Sequence, residues 1–205
     1  MSKSIYKILT HRSRILHTKA NEELIFPLSS KTEDIIYKTI DTLRYNKGVY
    51  EKRGLALAAN QIGSLKRFFV MFDSSVHPVG RKVNIICNPE ILETSEDQED
   101  MYEGCLSITK YQCLVKRPKK CLVKFQDFNG RSDKMELEGF IARVFQHEID
   151  HLNGYTMLER QSKTIENPLY TEFKKNQKLE KLGKLQSKKD LIDFSKFDKK
   201  APEDF

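Results

Sequence analysis

Residues 146–154 read Gln146-His147-Glu148-Ile149-Asp150-His151-Leu152-Asn153-Gly154 and contain the pattern His-Glu-x-x-His. On an α-helix, residues four apart sit one turn apart on the same face. His147 and His151 can therefore point two imidazole nitrogens at one metal ion. Glu148 stands beside the first of them, where a general base for water belongs. Phe140, Ile141, Val144, Phe145, Ile149 and Leu152 recur at helical spacing and predict one apolar face. Gly154 falls where a left-handed residue closes a helix. The bland alternative is a chance match on a surface helix, and the well-formed helical pattern argues against it. Two histidines do not complete a catalytic centre, which takes three protein ligands and keeps one position open. A third ligand must come from elsewhere in the chain.

The 205 residues suffice for one good core rather than two domains. With 39% hydrophobic and 32% charged residues, the composition is that of a globular, strongly charged chain. No apolar run approaches the roughly 20 residues that span a bilayer, so no membrane role is expected. The start, Met1-Ser2-Lys3-Ser4-Ile5-Tyr6-Lys7, lacks the apolar stretch of a secretory signal. Cys87, Cys105, Cys113 and Cys121 form no dense disulfide framework and no Cys-x-x-Cys, which points to a reducing cytoplasm. The net charge of +7 favours a polyanionic neighbour or simply solubility.

Residues 5–28 read as extended or loop structure. Ser30-Lys31-Thr32-Glu33 has the form of a capping box, and Ile36, Ile40 and Leu43 follow at helical spacing up to Asn46-Lys47-Gly48. Gly54-Leu55-Ala56-Leu57-Ala58-Ala59-Asn60-Gln61-Ile62-Gly63 packs small residues densely, which lets backbone or ligand approach closely. Residues 65–72 and 83–87 are short β-rich runs, with a loop over 74–81 between them. Residues 96–100 form an acidic patch expected to be a solvated turn. Residues 111–117, 121–128 and 131–137 read as strands, with Asn129-Gly130 a hairpin signal. Cys87, Cys113 and Cys121 lie in strand-like runs and read as small buried side chains. Past Arg160 the chain turns polar and lysine-rich; Asn167-Pro168 reads as a helix start. Leu179, Leu182 and Leu185 give that helix a thin apolar stripe among Lys174, Lys175, Lys178, Lys181, Lys184, Lys188 and Lys189, and beyond Asp190 the tail reads as disordered.

Cysteine partners two histidines well on a borderline-soft divalent metal, and Cys105, in Glu103-Gly104-Cys105-Leu106-Ser107, is the best candidate. Taken together, three separated segments resemble peptide deformylase. Gly54 to Gln61 matches the first motif of that family, Gly-x-Gly-x-Ala-Ala-x-Gln, except that Ala56 replaces the second glycine. Glu103 to Ser107 matches Glu-Gly-Cys-Leu-Ser in full, and Gln146 to Gly154 matches Gln-His-Glu-x-Asp-His-Leu-x-Gly in full. Arg117-Pro118, Ile8-Leu9-Thr10 and Arg14-Ile15-Leu16 fit as well, so the resemblance covers about residues 8–160. Ile108-Thr109-Lys110 stands where the family commonly has a proline.

The resemblance implies hydrolytic removal of the formyl group from the N-terminal methionine of newly made polypeptides. It implies metal ligands Cys105, His147 and His151, with Glu148 passing a proton from water to the leaving amine. It makes the Gln61 side-chain amide and the Leu106 backbone N–H the donors to the formyl oxygen. Leu55, Ala56, Glu103, Leu106 and Val144 are the expected substrate contacts, and Ala56 is costly if its position needs positive φ. The metal implied is Fe(II), with Zn(II), Ni(II) or Co(II) able to occupy the same ligands. The implied fold is α+β: antiparallel strands packed around a central helix bearing the His-Glu-x-x-His motif, plus a C-terminal helix. The expected division is a catalytic unit over residues 1–165 and a basic helix and tail over 166–205, through which the protein could meet the ribosome.

Two other readings compete. A zinc peptidase with this motif would take a further ligand downstream; Met157 ligates poorly, leaving Glu159 or Glu166. A binding module on a deformylase scaffold, with altered substrate or no turnover, is the other, kept open by Ala56 and residues 108–110.

Overall fold

The computed structural model describes residues 5–47, 55–72, 83–168 and 170–171. Two antiparallel sheets flank one central helix. The larger sheet has the order β1-β2-β3-β6-β7, from β1 (Ala56–Ala58), β2 (Phe68–Met71), β3 (Asn84–Thr94), β6 (Lys120–Gln126) and β7 (Ser132–Glu138). The smaller has the order β4-β5-β8, from β4 (Gln98–Glu103), β5 (Tyr111–Pro118) and β8 (Gln161–Glu166). Helix α2 (Gly139–Leu152) carries the motif, while α1 (Ser30–Lys47) and the short α3 (Met157–Arg160) lie elsewhere on the chain. This is the α+β arrangement the resemblance implied.

Helix α1 buries Ile36, Ile40 and Leu43, as their spacing predicts. Its cap is one residue earlier than expected: the Ser29 hydroxyl, not that of Ser30, accepts the Thr32 N–H at 3.3 Å. Helix α2 buries Ala142, Phe145, Ile149 and Leu152. Phe145 meets Phe69 of β2 edge-on with ring centroids 5.1 Å apart. Phe140, expected on the inner face, is 47% exposed; it sits in the first turn, where the helix has just left β7. At the other end, Gly154 has φ +84°, and a Cβ there would meet the His17 carbonyl at 3.0 Å, so conformation and space both require glycine. The predicted hairpin joins β6 and β7: Gly130 takes φ +82°, and the Asp127 carboxylate accepts the N–H groups of Asn129 and Arg131 at 2.8 and 2.9 Å.

Three segments depart from the sequence expectations. The acidic patch is only partly a turn: Glu96 and Asp97 lie in an exposed bend, but residues from Gln98 form β4, whose exposed face carries Gln98, Asp100 and Tyr102 while Glu103 is buried. Strand β3 runs well past Cys87, because register shifts around Asn88 let it absorb Pro89. Asn88 takes φ +48° there and bonds both backbone groups of Leu24. Polar residues after Arg160 form β8, which pairs with β5 from Tyr111↔Glu166 to Val115↔Gln161. That strand runs to Glu166. Asn167 then fixes the loop after Ser107, its N–H donating to Lys110 O at 2.8 Å and its Nδ2 to Thr109 O at 2.9 Å. A helical turn starts at Pro168; the expected loop over 74–81 and nearly all of the expected tail helix lie outside the described residues.

Candidate metal centre

Three side chains from two elements converge on one point. Helix α2 supplies His147 and His151, one turn apart. Beyond β4 the chain makes a turn closed by Ile108 N–H on Cys105 O at 3.0 Å, and that turn supplies Cys105. The ligating atoms of Cys105, His147 and His151 all lie within 4.8 Å of one another. Cys105 Sγ is 3.2 Å from His151 Nε2, and the two imidazoles are nearly perpendicular at 84°. Metal–ligand lengths of about 2.0–2.3 Å place tetrahedral donors roughly 3–4 Å apart, so one thiol and two imidazoles at this spacing suit a single ion such as zinc. Among the described residues no other group of His, Cys, Asp and Glu gathers in this way.

Behind His147 lies a buried ionic network. Glu103, 6% exposed, receives Arg117 Nε at 2.6 Å and its second guanidinium nitrogen at 3.0 Å. It also receives Arg143 at 2.8 Å and faces His147 Nδ1 at 2.9 Å. Arg117 reaches on to Asp150 at 2.8 Å, and Arg160 binds the same carboxylate at 2.9 Å. Burial works to raise the Glu103 carboxyl, but His147 and Arg117 outweigh it and hold it well below the usual carboxylate range. The contact with Glu103 leaves Nε2 as the His147 nitrogen facing the thiol. Glu103, expected among the substrate contacts, is thus turned inward and engaged by Arg117, Arg143 and His147.

On the other side stands β1 with the turn that follows it, Ala59–Ile62. Gln61 is 2% exposed, and its Oε1 accepts the Ala58 N–H at 2.9 Å. That bond aims Nε2 at Ser107 Oγ, 3.1 Å away, and Cys105 Sγ, 3.5 Å away. Glu148 is 5% exposed, and its Oε2 has no hydrogen-bond partner. Burial pushes its carboxyl up to about 7, with His147 pulling in the opposite direction. A carboxyl tuned near neutrality beside candidate metal ligands is the expected state of a proton-transfer group.

Leu55, Ala56, Leu106 and Val144 are all half-buried. Ala56 opens β1, the edge strand of the larger sheet, where it pairs with Met71. Asn88 is the described non-glycine residue with positive φ, so Ala56 carries no left-handed strain and the feared cost is absent. The rival peptidase ligands are not at hand. Glu159 caps α3 through Thr156 N at 2.7 Å and Glu166 ends β8, neither gathering with the two histidines, while Met157 is buried in a small cluster against which Cys105 packs.

Several contributors were not anticipated. The N-terminal segment clasps both cleft walls: Leu9 N–H donates to Gln61 O at 2.8 Å and His11 N–H to Ser107 O at 3.2 Å. These are backbone contacts and leave no mark in side-chain pattern. Arg143 was legible in principle, since it sits four residues before His147 and hence on the same helix face.

Residues 5–167 match the model of the polypeptide deformylase family. A peptide deformylase of Dictyoglomus thermophilum is 37% identical over 160 residues, spanning 78% of this chain and 93% of the relative. The crystal structure of peptide deformylase from Thermotoga maritima superposes with a TM-score of 0.65 at 36% identity, covering 78% of this chain and 99% of that one. The Ehrlichia chaffeensis enzyme gives a TM-score of 0.65 at 29% identity, covering 90% of this chain and 98% of that one.

Proposed function

The chain belongs to the polypeptide deformylase family and is a hydrolase of N-formylated peptides, and from that premise we propose how its residues divide the work. Cys105, His147 and His151 hold one divalent metal, Fe(II) by the family resemblance, with Zn(II), Ni(II) and Co(II) equally compatible with a thiol and two imidazoles. Such a cation, when bound, polarises a carbonyl and makes water a nucleophile near neutral pH. The convergence of these three donors is the observation that carries the reading.

Glu148 accepts the proton of the attacking water and delivers it to the leaving amine. Its burial, its unpartnered Oε2 and a carboxyl pushed up to about 7 support that role. Gln61 stabilises the oxyanion: its Oε1 is already tied to Ala58, so Nε2 is held in place before charge develops. The Leu106 backbone N–H, next to Cys105, is the second donor. The peptide lies along the edge strand β1, and Leu55, Leu106 and Val144 line the apolar pocket for the methionine side chain, with Ala56 at its rim.

The substrates are N-formylmethionyl nascent peptides, met in the cytoplasm. The lysine-rich tail of residues 166–205 docks on ribosomal phosphate, a role supported by its seven lysines between 174 and 189 and the net charge of +7. No helix among the described residues is long and apolar enough to cross a membrane. The test is metal analysis of anaerobically purified protein together with turnover of a formyl-methionyl peptide, for wild type and Glu148→Ala. Glu148→Ala is expected to keep the metal and lose at least about two orders of magnitude in rate. Near-normal turnover in the variant would remove Glu148 from this role, and a wild type that binds metal without turnover would favour the binding-module reading.

A further inference from the structure

His147 and His151 are held differently. His147 has its second ring nitrogen on Glu103. His151 Nδ1 is buried and has no partner. An imidazole that binds a metal through Nε2 carries its proton on Nδ1, and metal-binding histidines almost always pass that N–H to a carboxylate, a carbonyl or water.

Asn60 already reaches His151. It is fully buried in the turn Ala59–Ile62, and its Nδ2 donates to the His151 backbone carbonyl. The other end of the same amide, Oδ1, is buried and equally without a partner. A lone buried donor position and a lone buried acceptor therefore stand on two residues that a hydrogen bond has joined. Native interiors rarely leave such groups unmade. Nor does the helix end need Asn60 for closure, since His151 O also accepts the Gly154 N–H at 2.9 Å. We propose that Asn60 is the positioning residue of His151, its Oδ1 accepting the Nδ1–H when Nε2 takes up a metal. The inference rests on the assignment of His151 as a ligand. It makes one short turn responsible for two things, the aim of Gln61 and the orientation of a ligand on a different element.

The experiment uses full-length, zinc-loaded protein labelled with 15N-histidine, in wild type, Asn60→Leu and Asn60→Asp. Leu removes both amide functions at similar size. Asp keeps an acceptor for the imidazole but loses the donor to the backbone carbonyl. In wild type the His151 Nδ1–H resonance is expected to be protected from exchange, to persist in Asn60→Asp and to become labile in Asn60→Leu. Zinc release to a chelator should be about 10- to 100-fold faster in Asn60→Leu and within about threefold of wild type in Asn60→Asp. Equal release from the two variants would make Asn60 a clamp on the helix end and overturn the proposal. So would a labile or absent Nδ1–H in zinc-loaded wild type, a result that does not depend on either variant folding. Failure of wild type to take up zinc would overturn the site assignment and this inference together.

Discussion

Replacing Glu103 by glutamine isolates the role of the ionic network behind His147. The carboxylate accepts from Arg117 at 2.6 and 3.0 Å, from Arg143 at 2.8 Å and faces His147 Nδ1 at 2.9 Å. Glutamine keeps the shape but turns one oxygen into a donor, which must then face a guanidinium or the imidazole N–H. The guanidiniums are not stranded: Arg117 retains Asp150 at 2.8 Å, and Arg143 retains the carbonyls of Val115 and Glu99 at 2.8 and 2.7 Å. The loss should therefore fall at the low end of the range for breaking a buried pair, about 3 kcal/mol. At about 2–4 °C per kcal/mol for a domain of this size, the metal-free protein should melt about 6–12 °C lower. With its acceptor weakened, His147 should release metal about 10- to 100-fold faster. Thermal unfolding of the metal-free protein and chelator-driven release from the loaded protein measure the two effects separately. Unchanged melting and unchanged release would refute the network as described. Lower melting with unchanged release would leave Glu103 a structural clamp that does not act through His147.

At pH 8, metal-free native protein should present one fast-reacting thiol, Cys105. Cys87 and Cys121 are buried with thiols pushed up to about 12 and about 11 by that burial, leaving roughly one thiolate in ten thousand and one in a thousand at most; labelling counted by mass spectrometry, with and without bound zinc, would refute this if Cys87 or Cys121 reacted first. Ala56→Gly should widen the substrate range at the second and third peptide residues, read as kcat/KM across a formyl-methionyl peptide series, and an identical profile would make the methyl silent. Truncation after Thr171, which spares β8 and Asn167, should lower ribosome co-sedimentation and flatten its salt dependence while sparing small-peptide turnover; binding equal to full length would leave the tail a solubility feature.

The pairing of the two candidate ligands was legible because their spacing is imposed by helix geometry: His147 and His151 can share an ion only at a separation near one turn. Cys105 needed more, since no local rule brings residue 105 to residue 151, and its assignment came from chemistry and resemblance. Glu103 was misplaced for the same reason. Its motif marks it as special, but only the fold shows that β4 turns it away from the cleft and toward two arginines. β4 and β8 were missed because exposed strands tolerate charge and show little apolar alternation. Asn60, in the dense run of small residues, looked like packing, and its contact with a residue 91 positions away is invisible in sequence.

What the sequence does betray is conflict on α2. Its buried face includes Arg143, Gln146, Glu148, Asp150 and His151 beside its apolar residues, far more polarity than a core helix carries for packing alone. Each such group costs free energy unless a partner meets it. The strands of the smaller sheet supply those partners: Glu103 and the Glu99 carbonyl from β4, Arg117 and the Val115 and Pro118 carbonyls from β5. β8 then closes the other edge of β5, and the segment after it pins residues 109 and 110 beyond the Cys105 turn. The larger sheet packs the apolar side of the helix, and the smaller one satisfies its polar side. Glu148 Oε2 and His151 Nδ1 are the two buried side-chain atoms on α2 left without a hydrogen-bond partner. On the proposed mechanism, Glu148 takes up a proton and His151 Nδ1 holds one in place, which is where an unpartnered buried atom would be of use.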